Sequence, residues 1–199
     1  MITDIFKNYE ESVLNRLGLS YTGLNICELG NQSYMSKPAK IMYEKKGSKH
    51  TSIDINGRGG ALPFDLDKPL PGTLSNKFDL ITNYGTTEHV NKQYSVFKNI
   101  HFLGKTGCIV IHGVPLAGNW KKHCRYYYST KFFSNLAIAC SYSVVDLYLM
   151  DKDFFKHPKN LVVCVLKKEK DNFFIKEKSF NSLTGLHDSK DVTRTGDYS

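Results

Sequence analysis

The stretch Glu28-Leu29-Gly30-Asn31-Gln32 follows directly on the apolar run 24–27. An acidic residue and a glycine where a buried strand opens into a loop are typical of a site for a nucleoside-bearing ligand. Such a ligand must approach bare backbone and hydrogen-bond a carboxylate. A second strand-like run, 50–56, carries Asp54 twenty-four residues after Gly30. Because a carboxylate at a second strand tip can hold ribose hydroxyls, the two segments together predict a nucleoside site.

Strand-like and helix-like segments alternate along the chain. The predicted strands are 24–28, 51–55, a short apolar piece ending at Asp65, 78–83, 108–112, 143–150 and 160–167, and the predicted helices are 4–17, 37–46, 88–103 and about 129–140. Alternation indicates a parallel sheet with right-handed crossovers, and the last two strands, with no helix between them, indicate an antiparallel strand inserted at one edge. The predicted fold is α/β: a three-layer sandwich with a Rossmann-like, mostly parallel seven-stranded sheet and an antiparallel final strand.

The length of 199 residues fits one domain. We expect this domain over 1–167, with 1–18 forming a helix that packs on the sheet. Ser36 is the expected cap of the second helix. The segment around Trp120 to Tyr128 is polar and aromatic, which predicts an exposed loop. Residues 168–199 are predicted to be a polar C-terminal tail, disordered over the last dozen.

Bulk composition limits the class of protein. Twenty-seven Lys and Arg against nineteen Asp and Glu give a formal charge of +8, which favours anionic partners. The five cysteines form no C-x-x-C pair, so they are expected to be buried thiols in a reducing compartment and not zinc ligands. No run approaches the roughly 20 apolar residues of a membrane span, and the N-terminus lacks a signal-peptide pattern. The sequence predicts a soluble cytoplasmic protein and does not set its oligomeric state.

Five segments follow one another between about residues 20 and 167. They are Glu28-Leu-Gly-Asn-Gln, Ser52-Ile-Asp-Ile-Asn, Ala61-Leu-Pro-Phe-Asp-Leu, Phe78-Asp-Leu-Ile-Thr-Asn with Glu88-His89-Val90, and Gly107-Cys-Ile-Val-Ile-His. In order and spacing they resemble the motifs of class I S-adenosylmethionine-dependent methyltransferases. The first motif departs from the family, which usually has further glycines where this chain has Asn31, Gln32 and Ser33. This loss disfavours NAD, because a pyrophosphate needs those glycines and S-adenosylmethionine has no phosphate.

The resemblance implies a set of cofactor contacts. In it Glu28 and Gly30 lie near the methionine part, Asp54 binds the ribose hydroxyls, Ile55 packs on adenine, Asp65 and Leu66 meet the adenine edge, and Asn83 lies at the mouth of the reaction site. Asn31 belongs to the same expected cofactor-binding set.

The acceptor is predicted from the chemistry around this edge of the sheet. After the fourth strand the chain has Asn83-Tyr84-Gly85-Thr86, not the Asn/Asp-Pro-Pro-Tyr of enzymes that methylate amino groups. An alcohol acceptor benefits from a general base, and three histidines are candidates: His112, His89 and His123. Aromatic and cationic side chains that suit a sugar or a phosphate are the expected substrate contacts: Trp120, Arg125, Tyr126 and Tyr84.

The resulting hypothesis is an O-methyltransferase that acts on a hydroxyl of a sugar, glycan or other small molecule, by direct transfer and without a metal. Two alternatives stay open. The positive charge and the interleaved Tyr and Lys also fit an RNA methyltransferase. A non-catalytic Rossmann-like binding module that kept only the fold is the other.

Overall fold

The computed structural model describes residues 4–120, 122–150 and 160–190. The strands are β1 (Asn25–Leu29), β2 (Ser33–Tyr34), β3 (Lys37–Pro38), β4 (Lys49–Ile53), β5 (Phe78–Tyr84), β6 (Gly104–Pro115), β7 (Tyr126–Tyr128), β8 (Tyr142–Met150), β9 (Leu161–Lys168) and β10 (Leu186–Asp188). The helices are α1 (Asp4–Arg16), α2 (Ala39–Lys45), α3 (Gln93–Leu103), α4 (Thr130–Cys140) and α5 (Glu177–Asn181).

The central sheet has six strands in the order β4-β1-β5-β6-β9-β8. The first four are parallel, and β9 runs antiparallel between β6 and β8. Helices cover both faces, so the three-layer α/β prediction is confirmed. The antiparallel strand lies one position inside the edge, and β8 is the edge strand.

The expected third strand is reduced to a single parallel bridge between Ile53 and Leu62. Leu62 donates to the Ser52 carbonyl and its own carbonyl accepts from Asp54. Pro63 has no N–H with which to extend this ladder, and glycines precede the bridge. The sheet therefore has six strands where the sequence predicted seven.

The sheet separates two hydrophobic cores. One lies under α3, α4 and α5 and contains an aromatic cluster: Phe97, Tyr128, Phe132, Phe133 and Phe180. The other lies under α1 and α2 and includes Phe6, Val13, Leu14, Met42 and Tyr43. All five cysteines are buried. None of the helices in the described ranges has the length and apolar content needed to cross a bilayer.

Glu10 is a buried carboxylate in the second core, with 1% of its surface exposed. It follows Phe6 by one helical turn on the buried side of α1. Its carboxylate accepts hydrogen bonds from the hydroxyls of Tyr21 (2.7 Å), Tyr43 (3.1 Å) and Tyr84 (2.6 Å). Burial raises the pKa of Glu10, and the phenol hydrogen bonds oppose that rise. These bonds tie α1 to α2 and to the end of β5.

Two predicted helix starts differ from the structure. Ser36 does not cap α2: it occupies, with Met35, a tight turn between β2 and β3, and both residues have positive φ (61° and 48°). The helix expected from about Glu88 begins at Gln93, after a separate 3-10 turn over Thr87–His89.

The segment before α4 is only in part the exposed loop that the sequence predicted, since Lys122 and His123 are exposed and the residues after them are mostly buried. Tyr126, Tyr127 and Tyr128 are all buried and form β7, which pairs with β10. Cys124 is buried as well. The clustered tyrosines therefore belong mainly to the interior.

The chain after 167 continues to pack on the domain. Phe180 of α5 is 2% exposed within the aromatic core, and β10 covers β7. Phe173, by contrast, is 98% exposed. The packed structure therefore reaches residue 190, beyond the expected domain boundary at 167. The last nine residues lie outside the described part of the chain.

Candidate active site

A cleft lies at the carboxyl ends of β1, β4 and β5. Its lining residues are Gly30, Ile53, Asp54, Ile55, Phe64, Asp65, Leu66, Asp67, Thr86, His89, Val90 and Asn91. Five of the predicted cofactor residues are among them: Gly30, Asp54, Ile55, Asp65 and Leu66. The cleft encloses about 130 Å³. Ligand pockets more often measure about 300–1,000 Å³, so a complete cofactor would extend beyond it.

Gly30 has a backbone position that no larger residue fits. Its φ is +78°, and a β-carbon there would lie 2.6 Å from Thr86 Oγ1. Thr86 donates that hydroxyl to the Leu29 carbonyl at 2.7 Å, so it is held in place. Bare backbone at the end of β1 therefore faces the cleft, as a closely approaching ligand requires.

Asp54 is positioned by the loops on both sides of the cleft. Its Oδ2 accepts the backbone N–H of Asn31 at 2.9 Å, and its Oδ1 accepts that of Asn56 at 3.1 Å. Each carboxylate oxygen has a further lone pair for a ligand hydroxyl. The Asn31 side chain instead donates to the Arg58 carbonyl at 2.7 Å, and Asn31 is absent from the cleft lining.

Glu28, which was predicted to contact the cofactor, is not among the residues that line the cleft. The side chain is 1% exposed, and its Oε2 accepts the Gln32 N–H at 3.1 Å. His50 Nε2 lies 3.7 Å from the same oxygen. Burial raises the pKa of Glu28 to about 8 and lowers that of His50 to about 4. Both groups are therefore mainly uncharged at neutral pH.

Asn83 and His112 form a buried pair, which does not reach the cleft. Asn83 Oδ1 accepts the N–H groups of Thr86 (3.2 Å) and Thr87 (3.1 Å), so its Nδ2 must be the donor to His112 Nδ1 at 3.0 Å. The ring of His112 packs between Phe97 and Phe133 and is 1% exposed. Burial lowers the pKa of His112 to about 3. His112 is thus an interior residue, and the predicted general-base role does not fit its placement.

Three of the expected substrate contacts serve the fold. The Tyr84 hydroxyl donates to Glu10 on the opposite face of the sheet. Arg125 pairs with both carboxylate oxygens of Asp188, at 3.1 and 3.0 Å. The Tyr126 hydroxyl donates to the Asn91 carbonyl at 2.9 Å. The last two bonds hold the β7 segment against β10 and against Asn91 of the cleft wall. All three bonds occupy groups that were expected to meet a substrate.

The remaining predicted residues come together next to the cleft. His89 lines it, and the ring of the exposed His123 lies 5.3 Å from that of His89, centre to centre. Trp120 packs on His123 at 4.8 Å and donates its indole N–H to the Asn160 carbonyl at 2.6 Å. Two imidazoles and an indole thus lie together beside the cleft.

Several residues of this region escaped the sequence prediction. Thr86, Val90, Asn91, Phe64 and Asp67 line the cleft. Phe64 and Val90 belong to motifs that were already identified, and Thr86 lies two residues before one of them, so their positions were the available signal. Asn91 had no such signal, because a polar residue after a turn is common and is usually exposed to solvent.

Comparison with known proteins gives structural neighbours only. A scan of protein-family models and a search of curated proteins each found no match. Among solved structures, the chain is similar to the Burkholderia thailandensis 1,6-didemethyltoxoflavin-N1-methyltransferase with bound 1,6-didemethyltoxoflavin and S-adenosylhomocysteine. The TM-score is 0.64 at 12% identity, over 84% of this chain and 79% of that one.

Two further neighbours have different activities. The 16S rRNA (adenine(1408)-N(1))-methyltransferase from Catenulisporales acidiphilia matches with a TM-score of 0.57 at 10% identity, over 86% of this chain and 97% of that one. The [4+2]-cyclase SpnF matches with a TM-score of 0.58 at 14% identity, over 82% of this chain and 81% of that one. At these identities the likeness shows the fold, which methyltransferases and a cyclase share.

Proposed function

We propose that this protein binds S-adenosylmethionine in the cleft and transfers its methyl group to a hydroxyl of a small molecule, sugar or glycan. The observation that carries the proposal is that Gly30 and Asp54 both line this cleft. Bare backbone and a carboxylate with spare lone pairs are what an adenosine group needs. Ile55, Phe64 and Leu66 add an apolar wall against which a base can pack.

The neighbours support this choice without deciding it. Two of the three are methyltransferases, and one of these holds S-adenosylhomocysteine. The shared fold with a cyclase means that methyl transfer must be argued from the site and not from the architecture.

The acceptor is proposed to lie beyond His89, against His123 and Trp120. When bound, S-adenosylmethionine supplies a methyl group on a sulfonium centre. The task of the protein is to align the acceptor oxygen in line with that group, exclude water and promote loss of the hydroxyl proton. His89 and His123 are the polar groups beside the cleft that can assist the proton loss, and the indole face of Trp120 suits the apolar face of a sugar ring.

An RNA acceptor is less well supported. The positive charge favours it, but Arg125 is paired with Asp188, and the three tyrosines expected to stack on bases are buried. Stacking platforms for single-stranded nucleic acid need exposed aromatic faces beside a basic groove. A small acceptor needs only the wall formed by His89, His123 and Trp120.

Asp54→Ala is expected to weaken binding of S-adenosylmethionine and S-adenosylhomocysteine at least tenfold, because it removes the acceptor for the ribose hydroxyls. Isothermal titration calorimetry on the full chain measures this directly. The unchanged protein should bind both ligands at micromolar concentrations, and transfer of a labelled methyl group to a panel of sugars tests the reaction.

The control is Glu44→Ala, which removes a carboxylate from the exposed side of α2 and should leave affinity unchanged. Thermal unfolding of both variants separates loss of binding from loss of fold, since Asp54 also holds two backbone amides. If the unchanged protein binds neither ligand at saturating concentration, the non-catalytic binding module becomes the correct description.

A further inference from the structure

Glu88, His89 and His123 form a compact group of possible metal ligands. One carboxylate oxygen of Glu88, one ring nitrogen of His89 and one ring nitrogen of His123 all lie within 4.8 Å of one another. Atoms bound to a single zinc-sized ion at about 2.0–2.2 Å lie no more than about 4.3 Å apart. Side-chain rotations that move the ligand atoms by about 1 Å would therefore bring all three within reach of one ion. Two of the ligands are consecutive in the 3-10 turn after β5, and the third arrives from the segment before β7.

The carboxylate of Glu88 independently points to a cation. The side chain is 1% exposed, and its Oε2 has no hydrogen-bond partner among the described residues. A buried carboxylate without a partner is strongly unfavourable unless a positive charge or a proton compensates it. A metal ion would supply the missing partner.

The exposed ligand is held on an anchored segment. Tyr127 accepts hydrogen bonds at its hydroxyl from the backbone N–H groups of His123 (3.2 Å) and Cys124 (3.3 Å). The two-bond pair of Arg125 with Asp188 fixes the next residues. Trp120 packs on the outer side of the His123 ring. Such supporting contacts are typical around metal ligands, because they fix the direction of the donor atoms.

The ligand types select a class of metal. Two imidazoles and one carboxylate favour a divalent transition metal such as Zn²⁺, Fe²⁺ or Mn²⁺ over Mg²⁺ or Ca²⁺, which prefer all-oxygen sites. Three protein ligands leave coordination positions open for water or substrate, as in catalytic sites. His89 also lines the cleft, so those positions would face the place where the acceptor is expected.

We propose that Glu88, His89 and His123 bind one divalent transition-metal ion, and that this ion coordinates the acceptor hydroxyl. The inference rests on the proposed function and deepens it, since the two histidines promote proton loss by holding the metal. It also replaces the expectation from sequence that transfer proceeds without a metal.

A bound ion would polarise the acceptor O–H group, and the hydroxyl proton would pass to a water molecule. The resulting oxygen attacks the sulfonium methyl carbon and forms the new C–O bond with its own electron pair. The S–C bond breaks with its electron pair remaining on sulfur, which gives S-adenosylhomocysteine and the methyl ether.

Titration with Co²⁺ after treatment of the full chain with a chelator tests the site. Ligand-field absorption reports coordination by nitrogen and oxygen, and calorimetry gives affinity and stoichiometry. We expect one Co²⁺ per chain at micromolar affinity. His123→Ala and Glu88→Gln should each weaken binding at least tenfold. His123 is exposed, so His123→Ala tests the site without opening the core.

The matched control is His187→Ala, since His187 is an exposed histidine outside the group. It should leave Co²⁺ binding unchanged. Equal Co²⁺ affinity in the unchanged protein and His123→Ala, or no binding at micromolar concentration, would overturn the metal site.

The two proposals fail in distinguishable ways. Loss of the metal site alone leaves calorimetric binding of S-adenosylhomocysteine intact, and the proposed function then stands with the histidines acting directly. If Co²⁺ binds at the predicted residues while neither S-adenosyl ligand binds, the methyl-transfer proposal is wrong and the site serves another reaction.

Discussion

Glu10→Ala is expected to lower the free energy of unfolding by about 3–5 kcal/mol, and the melting temperature by on the order of 10 °C. The substitution leaves the hydroxyls of Tyr21, Tyr43 and Tyr84 without their acceptor in a region closed to water. Each buried donor without a partner is unfavourable by about 1–3 kcal/mol. Chemical denaturation followed by circular dichroism gives the value.

Glu11→Ala is the matched control, because Glu11 lies on the same helix and pairs with Lys46 at 2.9 Å nearer the surface. A partly exposed ion pair contributes about 0–1 kcal/mol, so this variant should be close to the unchanged protein. Similar losses in the two variants would mean that the three-tyrosine cluster does not stabilise the fold. Since Tyr84 ends β5, we also expect the Glu10 variant to loosen the turn that carries Glu88 and His89.

The second large effect is a fall in the free energy of unfolding at low pH, which arises from His112. Burial lowers the pKa of His112 from 6.5 to about 3 in the folded state. As the pH falls below 6.5, the unfolded chain takes up a proton that the folded chain refuses. The contribution of His112 is therefore complete above pH 6.5 and is lost at about 1.4 kcal/mol per pH unit as the pH falls toward 3.

His112→Asn tests this, because an asparagine oxygen can still accept from Asn83 but does not titrate. The variant should be less stable at neutral pH, since it loses ring packing against Phe97 and Phe133. Its free energy of unfolding should nevertheless fall less between pH 6.5 and about 4.5, by roughly 2–3 kcal/mol relative to the unchanged protein. Urea denaturation over this range measures both curves. Parallel curves would show that His112 does not control the acid response.

The sequence predicted which segments form strands and helices, because the signals for these elements are local. Apolar runs, turn residues and helix caps repeat at short spacing, and the positions of Gly30 and Asp54 follow from strand ends alone. The third strand does not form for an equally local reason, because Pro63 and the glycines before it prevent a ladder of hydrogen bonds. Its apolar residues still pack, so the pattern suggested a strand.

Site residues could be predicted only where their position at a strand end decides that they face the cleft. A residue at a strand tip can face the cleft or the core, and its neighbours from distant segments decide which. His112 is interior because Phe97 of α3 and Phe133 of α4 close over it. Tyr84 is interior because Glu10 provides an acceptor from α1.

The polar composition of the chain after residue 167 predicted a tail, although this segment packs on the domain. Charged and polar residues make up most of this segment, yet Phe180 is buried in the aromatic core, and Phe174, Ile175, Leu183 and Leu186 pack against that core as well. The buried position of Glu10 was not predicted either, because Glu10 is a charged residue on an apolar helix face. Its spacing from Phe6 and Leu14, four residues on either side, was the available signal.

The pairing of β10 with β7 bears on where this chain can be shortened. A version ending at residue 167 would leave the outer N–H and C=O groups of Tyr126–Tyr128 unpaired on a hydrophobic strand. An uncovered edge of that kind recruits strands from other molecules. The truncated product would therefore tend to self-associate through the segment that follows His123, and aggregation in such a preparation would reflect the missing cover strand.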